Sequence, residues 1–524
     1  MFKFFRRQGK EAVPPQVPIP VPVKNNIQKP HRTRTSQLER DLNTINVSRQ
    51  STLSFGYSGS GQGANINRLI QSSLPALQTK ARDLATNNPV VRKYILMDAD
   101  QISGADGISI RSNVEIYDDE TKNHDLSMSI EQLFYEWAED PDAFSTTGRL
   151  DISTFQNLVC RTRARDGECF IRIHKIEGIM KLEIIDSLRV PVIGNQQLSN
   201  GEYISNGIRF DKFKKPTAYH ICKTDPTTYA YYQTDYEVVP AEEVIHFFIQ
   251  DYAEQERGLP DIIACTGLIK ELEQFVNASL VQKKVSASSM AFITSDDQQS
   301  ATTDLLNSID EANLATETYE GYLEPGVLLE LEPGKKIQTV NPTSSTDGLD
   351  SFMDQMMGQI AMALNVTKMN LLYDTKNSSF SAAKLSDRMM QQVVKGKQNA
   401  LIVQVLKPIY KEYLKVEMLN KNELNLKFQN FKKLVKATYT PVVSLSLDPN
   451  KDAQYQISLL ENGLKSRQQI ISELGQDYRD VLKDFEKDEI DNYLNVKDNR
   501  IDGQQNTQNP DEEGDGSQPN QSGQ

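Results

Sequence analysis

A chain of 524 residues with 38% hydrophobic content can bury a sizeable core, and its length points to two to four domains. A net charge of −13 argues against a broad basic surface that clamps nucleic acid, though not against DNA that merely passes by. Four cysteines (Cys160, Cys169, Cys222, Cys265) without a CxxC pair point to a reducing compartment, and no apolar run approaches the ~20 residues of a membrane span, so the expectation is a soluble intracellular protein.

The N-terminal MFKFFRRQGK is basic and aromatic, and a Pro-rich run over 11–30 follows where a secretory signal would have its apolar core. Residues 65–150 carry helical apolar spacing with strand insertions and a break at Asn87-Asn88-Pro89. Over 168–250 the runs ECFIRIHKI, KLEIIDSLRVPVI, NGIRFDKF, PTAYHICK and EEVIHFFI predict short strands. From Pro260, the spacing of Cys265, Leu268, Ile269, Leu272, Phe275, Val276 and Leu280 predicts an amphipathic helix to about Ala291. A polar interval follows, then GYLEPGVLLELEPGKKIQTV, whose Glu-Pro-Gly pairs mark turns between strands. Phe352, Met353, Met356, Met357, Ile360 and Leu364 predict another helix. Leu385, Met389 and Val393 begin a longer one that continues toward Leu419 with a kink at Pro408. Between those two helices the stretch LLYDTKNSSFSAAK (371–384) is polar apart from Phe380 over 374–379 and its border. Ser466 to Gln469 reads as a capping box and Gly475 as a helix stop. Residues 502–524 contain no apolar side chain and are expected to be disordered and dispensable for assembly; no internal repeat is visible.

Candidate chemistry is sparse. In GYSGSGQGANINR (56–68), Gly56 and Gly61 have P-loop separation, but Gln62 and Gly63 stand where Lys and Ser or Thr would hold phosphate and magnesium. Gly59-x-Gly61-x-x-Ala64 only faintly echoes a dinucleotide loop and lacks a surrounding βαβ unit. The five histidines do not form an i, i+4 zinc pair, and His174, His220 and His246 read as satisfied sheet residues. No G-x-S-x-G elbow occurs, and no carboxylate cluster identifies a two-metal nuclease. Asp166-Gly167-Glu168 after Arg161, Arg163 and Arg165 reads as a helix-to-strand turn whose arginines face solvent or a neighbouring subunit. The methionines of 352–364, including Met362, read as core or interface.

A series of landmarks in order resembles the lambda-like bacteriophage portal protein family. Arg82-Asp83-Leu84 and Asn87-Asn88-Pro89 resemble its early helix. Trp137, Phe155-Gln156 and Asp166-Gly167-Glu168 resemble its wing, and Arg257-Gly258-Leu259-Pro260 the start of its stem. Leu331-Glu332-Pro333-Gly334 with Asn341-Pro342 resembles the return to a second stem helix. Ile360-Ala361-x-Ala363-Leu364-Asn365-Val366, Leu371-Leu372 and Phe380-Ser381-Ala382-Ala383 resemble the tunnel-loop stretch. Asp448-Pro449-x-Lys451-Asp452, Gly463-Leu464-x-Ser466 and Glu473-x-Gly475-x-Asp477 resemble the end of the folded region. Two departures stand out: Gly104-Ala105-Asp106-Gly107-Ile108 in place of a tighter Val-Gly-x-Gly-Ile turn, and Phe380 in place of a tyrosine.

The resemblance implies an α+β portal-type protomer. Its expected parts are an N-terminal arm (1–62), a mixed α/β wing (63–258), a first stem helix (259–291), a small strand-containing clip (292–346) and a second stem helix (347–365). A tunnel loop (366–380), a long kinked helix with wing return (381–447), a C-terminal helical crown (448–500) and a disordered tail (501–524) complete it. It also implies a homo-oligomeric ring, dodecameric in the family, at one capsid vertex, assembled in the host cytoplasm, with no catalysis and no cofactor of its own. Double-stranded DNA would pass through it, and its partners would be the terminase large subunit, head–tail connector proteins and the major capsid protein. Asp374, Thr375, Lys376, Asn377, Ser378 and Ser379 are the expected tunnel-loop residues. Lys376 is the only cation within 369–383 and hence the candidate phosphate contact. Fifteen residues at ~3.3 Å each give the loop a contour near 50 Å. Met353, Met356, Met357, Ile360, Leu272 and Phe275 are the subunit-interface candidates, on helices with no obvious partner within the chain. Alternatives are a structural adaptor or scaffold of the head–tail junction that does not touch DNA, and a packaging ATPase or nuclease, which the missing P-loop Lys disfavours.

Overall fold

A computed structural model describes residues 65–487 except 193, 229, 288–290, 296–334, 340–348, 374–378, 421–423, 425, 444–447, 475 and 477. Two helices, α1 (Ile66–Asn87) and α2 (Pro89–Ser103), open it. Asn88 separates them: its side chain accepts from the amides of Val90 and Val91, and Pro89 supplies a first helical residue that needs no donor. A short strand β1 (Ser109–Ser112) leads to α3 (Glu120–Ala138), the one-turn α4 (Pro141–Phe144) and α5 (Ile152–Asp166).

The strand-rich middle forms two sheets. β2 (Glu168–Ile176) lies between β3 (Ile179–Ile185) and β9 (Val244–Phe248), antiparallel to both. The second sheet runs β4 (Gln196–Gln197), β5 (Tyr203–Ser205), β6 (Ile208–Phe210), β7 (Pro216–Thr224) and β8 (Tyr231–Pro240) as an antiparallel meander. After a 3-10 turn (Asp261–Cys265), α6 (Thr266–Ala287) ends before β10 (Ala291–Ser295), which pairs with β11 (Lys335–Thr339). The Glu-Pro-Gly turns lie outside the described residues.

Helices dominate the remainder. α7 (Leu349–Ala363) is followed by the short α8 (Lys368–Leu372), then α9 (Phe380–Leu401), a π turn (Ile402–Leu406) and α10 (Lys407–Asn420). The long helix expected to kink at Pro408 carries its irregularity just before that residue, as the π turn Ile402–Leu406, in which the Lys407 amide donates to the Ile402 carbonyl. α11 (Phe431–Leu434) leads into β12 (Ala437–Thr440), which returns to pair with β1. α12 (Pro449–Glu461), α13 (Arg467–Glu473) and α14 (Tyr478–Lys487) close the described chain. Ser466 and Gln469 form the capping box read from the sequence, whereas Gly475 lies outside the described residues.

Two apolar clusters carry most of the core. One joins α3, α5, β2, β3 and β9 to α10, with Trp137 stacked 4.7 Å from Tyr413 and Phe134 edge-on to Tyr410. The other gathers α1, α2, α6, α7, α8 and α9. The two helices expected to lack an intrachain partner are therefore each other's partner. Leu272 of α6 and Met356 and Ile360 of α7 are buried in one cluster, and the Phe275 and Phe352 rings lie 4.5 Å apart.

Candidate assembly surface and its charged framework

The turn at Asp166-Gly167-Glu168 is where α5 hands the chain to β2. Gly167 takes the left-handed conformation (φ 87°) that caps α5, and it faces Gly258 at backbone distance. A Cβ on Gly167 would stand 2.2 Å from the Leu259 carbonyl carbon, and one on Gly258 would stand 2.1 Å from the Gly167 oxygen. Neither position tolerates any side chain, so α5 and the segment entering α6 cross in van der Waals contact.

Three charged nodes radiate from this turn, and residues 163, 166 and 168 feed one each. In the first, buried Arg163 pairs with Asp98 of α2 and, at 2.9 Å, with Asp261 ahead of α6. Lys397 of α9 reaches the same two carboxylates, and the Tyr94 hydroxyl donates to Asp261 at 2.6 Å. Two cations thus face two carboxylates, the balance a low-dielectric interior requires. Arg163 corrects the sequence expectation of a solvated arginine row: only Arg161 and Arg165 are partly exposed. In the second node, the Arg257 guanidinium forks onto Glu168 (2.6–3.0 Å) and donates to the Val190 and Asn206 carbonyls. Glu168 also accepts from the Gly258 amide and contacts His246 Nε2 at 3.1 Å. Burial alone would raise the Glu168 carboxyl, but Arg257 and His246 outweigh it and hold it at about 2. Burial and the Arg257 charge push His246 below its ordinary value against the pull of Glu168. In the third, Arg82 bridges Asp166 and Asp186 at 2.7–2.9 Å, and Arg165 also binds Asp166 at 2.8–2.9 Å.

This arrangement binds helix to sheet. Its charges are mutually neutralised, and no group of His, Cys, Asp and Glu able to hold a metal ion occurs among the described residues. His174 meets Glu183 and His220 the Gly207 carbonyl, so the sheet histidines are satisfied as the sequence implied. The Gly-rich stretch through Ala64 lies outside the described residues; Asn65 simply caps α1.

Sequence reading missed Asp98, Asp261 and Lys397 as a set. A signal existed only in part: Arg163 at helical spacing on a face shared with Val159 and Cys160 points into the core. The landmarks it did single out fall on this framework. Arg82, Asp166, Glu168, Arg257 and Gly258 are all in it, and Gln156 clamps the backbone of Ile108 while Trp137 donates to the Met180 carbonyl.

Of the expected interface residues, Ile360, Met356 and Leu272 are buried within the protomer and Met353 and Met357 are partly so, because α6 and α7 pack together. Apolar side chains that stay exposed are Val276, Leu280 and Val281 on α6, Met362 on α7, and Phe380, Leu385 and Met389 toward the N-terminus of α9. Among the expected tunnel-loop residues, Asp374, Thr375, Lys376, Asn377 and Ser378 lie outside the described residues. Ser379 caps α9, accepting from the Ala382 amide. Within the expected 366–380 span, Val366 and Leu371 are buried and 368–372 is α8, because two apolar side chains draw that stretch onto the α7 cluster.

Comparison with known proteins adds a family. Residues 58–398 match the phage portal protein, lambda family. A probable portal protein of Halomonas phage phiHAP-1 is 24% identical over 458 residues, covering 85% of this chain and 86% of that one. Among solved structures, chains from the neck of a native GTA particle computed with C12 symmetry (TM-score 0.43) and of an empty GTA particle computed with C6 symmetry (TM-score 0.42) are similar at 12% identity. Each comparison covers 82% of this chain and 99% of the other. The family match takes in all three charged nodes and the α6–α7 pair, and so this chain belongs to the lambda family of phage portal proteins, structural components of the virion.

Proposed function

We propose that copies of this chain close into a ring at one capsid vertex and that double-stranded DNA is packaged and ejected through its centre. The observation that carries this reading is the family match over 58–398, which spans the charged framework and both helices of the α6–α7 pair. A closed ring needs two different surfaces on each protomer, because heterologous contacts close only when one face meets another. The exposed apolar residues of α6 and α9 supply the material for one of them.

In this reading 63–258 with the return 381–447 is the wing, 259–291 and 347–365 the stem, 292–346 the clip, 448–500 the crown and 501–524 a tail. The terminase large subunit and later the connector proteins dock on the clip, and the major capsid protein on the wing. Residues 373–379 form the tunnel loop. Seven residues span a contour of about 23 Å and reach roughly 10 Å inward when doubled back, so Lys376 touches phosphate without fixing it. An acidic wall with few cations suits this, since each lysine contact adds counterion-release affinity and slows the passing duplex.

Electron microscopy of the purified protein is the test: rings with a central hole are expected. A folded protein that keeps a monomer mass at all concentrations and salts defeats the reading. Deleting 374–379 is expected to leave rings intact and to reduce retention of packaged DNA; normal yields of full, infectious particles would refute the tunnel-loop role.

A further inference from the structure

On this acidic protein two stretches have the opposite sign: residues 1–40, at net +7, and one further along the chain. Residues 407–440 hold eight lysines and three glutamates, a net +5 in a chain of −13. The fold gathers part of that charge around a groove of about 590 Å³ between α10 and β12. Its lining includes Lys407, Lys411 and Lys436 with the apolar Val403, Val435 and Tyr439. All three lysines are exposed; Lys407 Nζ lies 5.8 Å from the Tyr439 ring centroid, and Lys436 meets Glu115. Lys432 and Lys433 of α11 are exposed on the adjoining turn.

The charge that complements this groove is in the same chain. Residues 488–524 carry nine carboxylate side chains against Lys497 and Arg500, and beyond Arg500 there are five (Asp502, Asp511, Glu512, Glu513, Asp515) and no cation. The path is short. The Arg479 guanidinium at the start of α14 lies 3.5 Å from the Ser112 carbonyl and 3.8 Å from Glu131, and Ser112 precedes Asn113, which lines the groove. From Lys487 to Asp511 there are 24 residues, a contour of about 80 Å, ample to return.

We infer that the acidic segment 501–524 docks into the lysine groove of α10, α11 and β12 and neutralises it. An extended peptide of Asp, Glu and Gly can enter a concavity with an apolar lining, whereas a rigid duplex would touch only its rim. Neutralisation keeps the largest concentration of lysine on the chain from holding nucleic acid where the ring must not grip it. That consequence rests on the proposed function; the docking itself does not.

Zero-length carbodiimide crosslinking of the full chain, read by mass spectrometry, tests it. Asp511, Glu512, Glu513 or Asp515 should join Lys407, Lys411, Lys432, Lys433 or Lys436 at low salt and lose those links at about 0.5 M salt, where screening is within a few ångströms. A labelled peptide of residues 501–524 should bind protein truncated after Arg500, and roughly tenfold more weakly after Lys407→Glu with Lys411→Glu. Circular dichroism checks that this variant is folded. Tail links confined to other lysines, or no links, overturn the inference. A short duplex DNA that binds the full chain as tightly as the truncated one overturns the neutralisation. Mass photometry on the same samples separates the two readings: groove links in a protein that stays monomeric support docking while defeating the ring.

Discussion

The two ends of α9 live under different rules. Toward its C-terminus Lys397 joins the Arg163 node, Gln398 donates to the Val442 carbonyl and Leu401 is fully buried. Toward its N-terminus Leu385 and Met389 stand 56% and 60% exposed. One helix thus begins as unburied apolar surface and ends as an anchor in a charge-balanced interior. The difference separates what the protomer needs to fold from what it leaves for a neighbour, and substitutions at the two ends should fail in different ways.

In the charge-balanced interior that anchors the helices the effect is largest. Arg257→Met leaves Glu168 buried without its guanidinium partner, and removal of one partner from a buried pair costs about 3–5 kcal/mol. Thermal unfolding followed by circular dichroism should show a large loss of stability, and Glu168→Met in the same chain should restore much of it. Equal instability of the double variant would mean that packing, not charge balance, is what Arg257 supplies. At the open end, Leu385→Asp with Met389→Asp should change protomer stability by no more than ~0.5 kcal/mol, as exposed substitutions do, and abolish rings in micrographs. Intact rings would move the interface elsewhere.

Acid should expose the same asymmetry more gently. His246 sits below its ordinary value of 6.5, so as pH falls through 6.5 the unfolded chain takes up a proton that the folded chain refuses, and stability declines. Glu168, held at about 2 against an ordinary 4.5, extends the decline from pH 4.5 downward. Melting temperature against pH should fall in both windows, and His246→Gln should remove the upper fall, which belongs to the imidazole. Smallest is the thiol response. Burial pushes Cys160 and Cys265 up to about 12, so neither should react with a thiol reagent at pH 8 until the protein unfolds. Rapid labelling of the native protein would reveal opening of the core around the nodes.

Local features were the legible ones. The Asn88-Pro89 break, the Ser466 capping box and the turn at Gly167 depend on residues within a few positions of one another, and each reads directly from its residue types. Helix faces were legible too, since periodicity reports which side is apolar. What that side meets is a different question. The partner of α6 lies on α7, with Phe275 and Phe352 in contact across 77 positions, and Arg163 finds its carboxylates 65 and 98 residues away. A row of three arginines looks solvated until those distant acids are known. The lysine excess over 407–440 was available to a windowed charge count, but its gathering into a groove depends on β12 returning to β1.

The π turn at Ile402–Leu406 sets the rotational phase between the two halves of this long helical run. A π turn holds one residue more than the α-helical turn it replaces, and each residue is worth about 100° of rotation. Winding the same residues as regular α-helix, with none removed, would give an uninterrupted ladder and lose no side chain from either node or core. Yet with α10 fixed by Tyr410 and Tyr413, all of α9 would turn by that angle. Lys397 would leave Asp98, and the Leu385–Met389 stripe would swing away from the direction it now faces. The fold and the outward stripe are thus timed against each other like two gears on one shaft, with a single extra residue as the key.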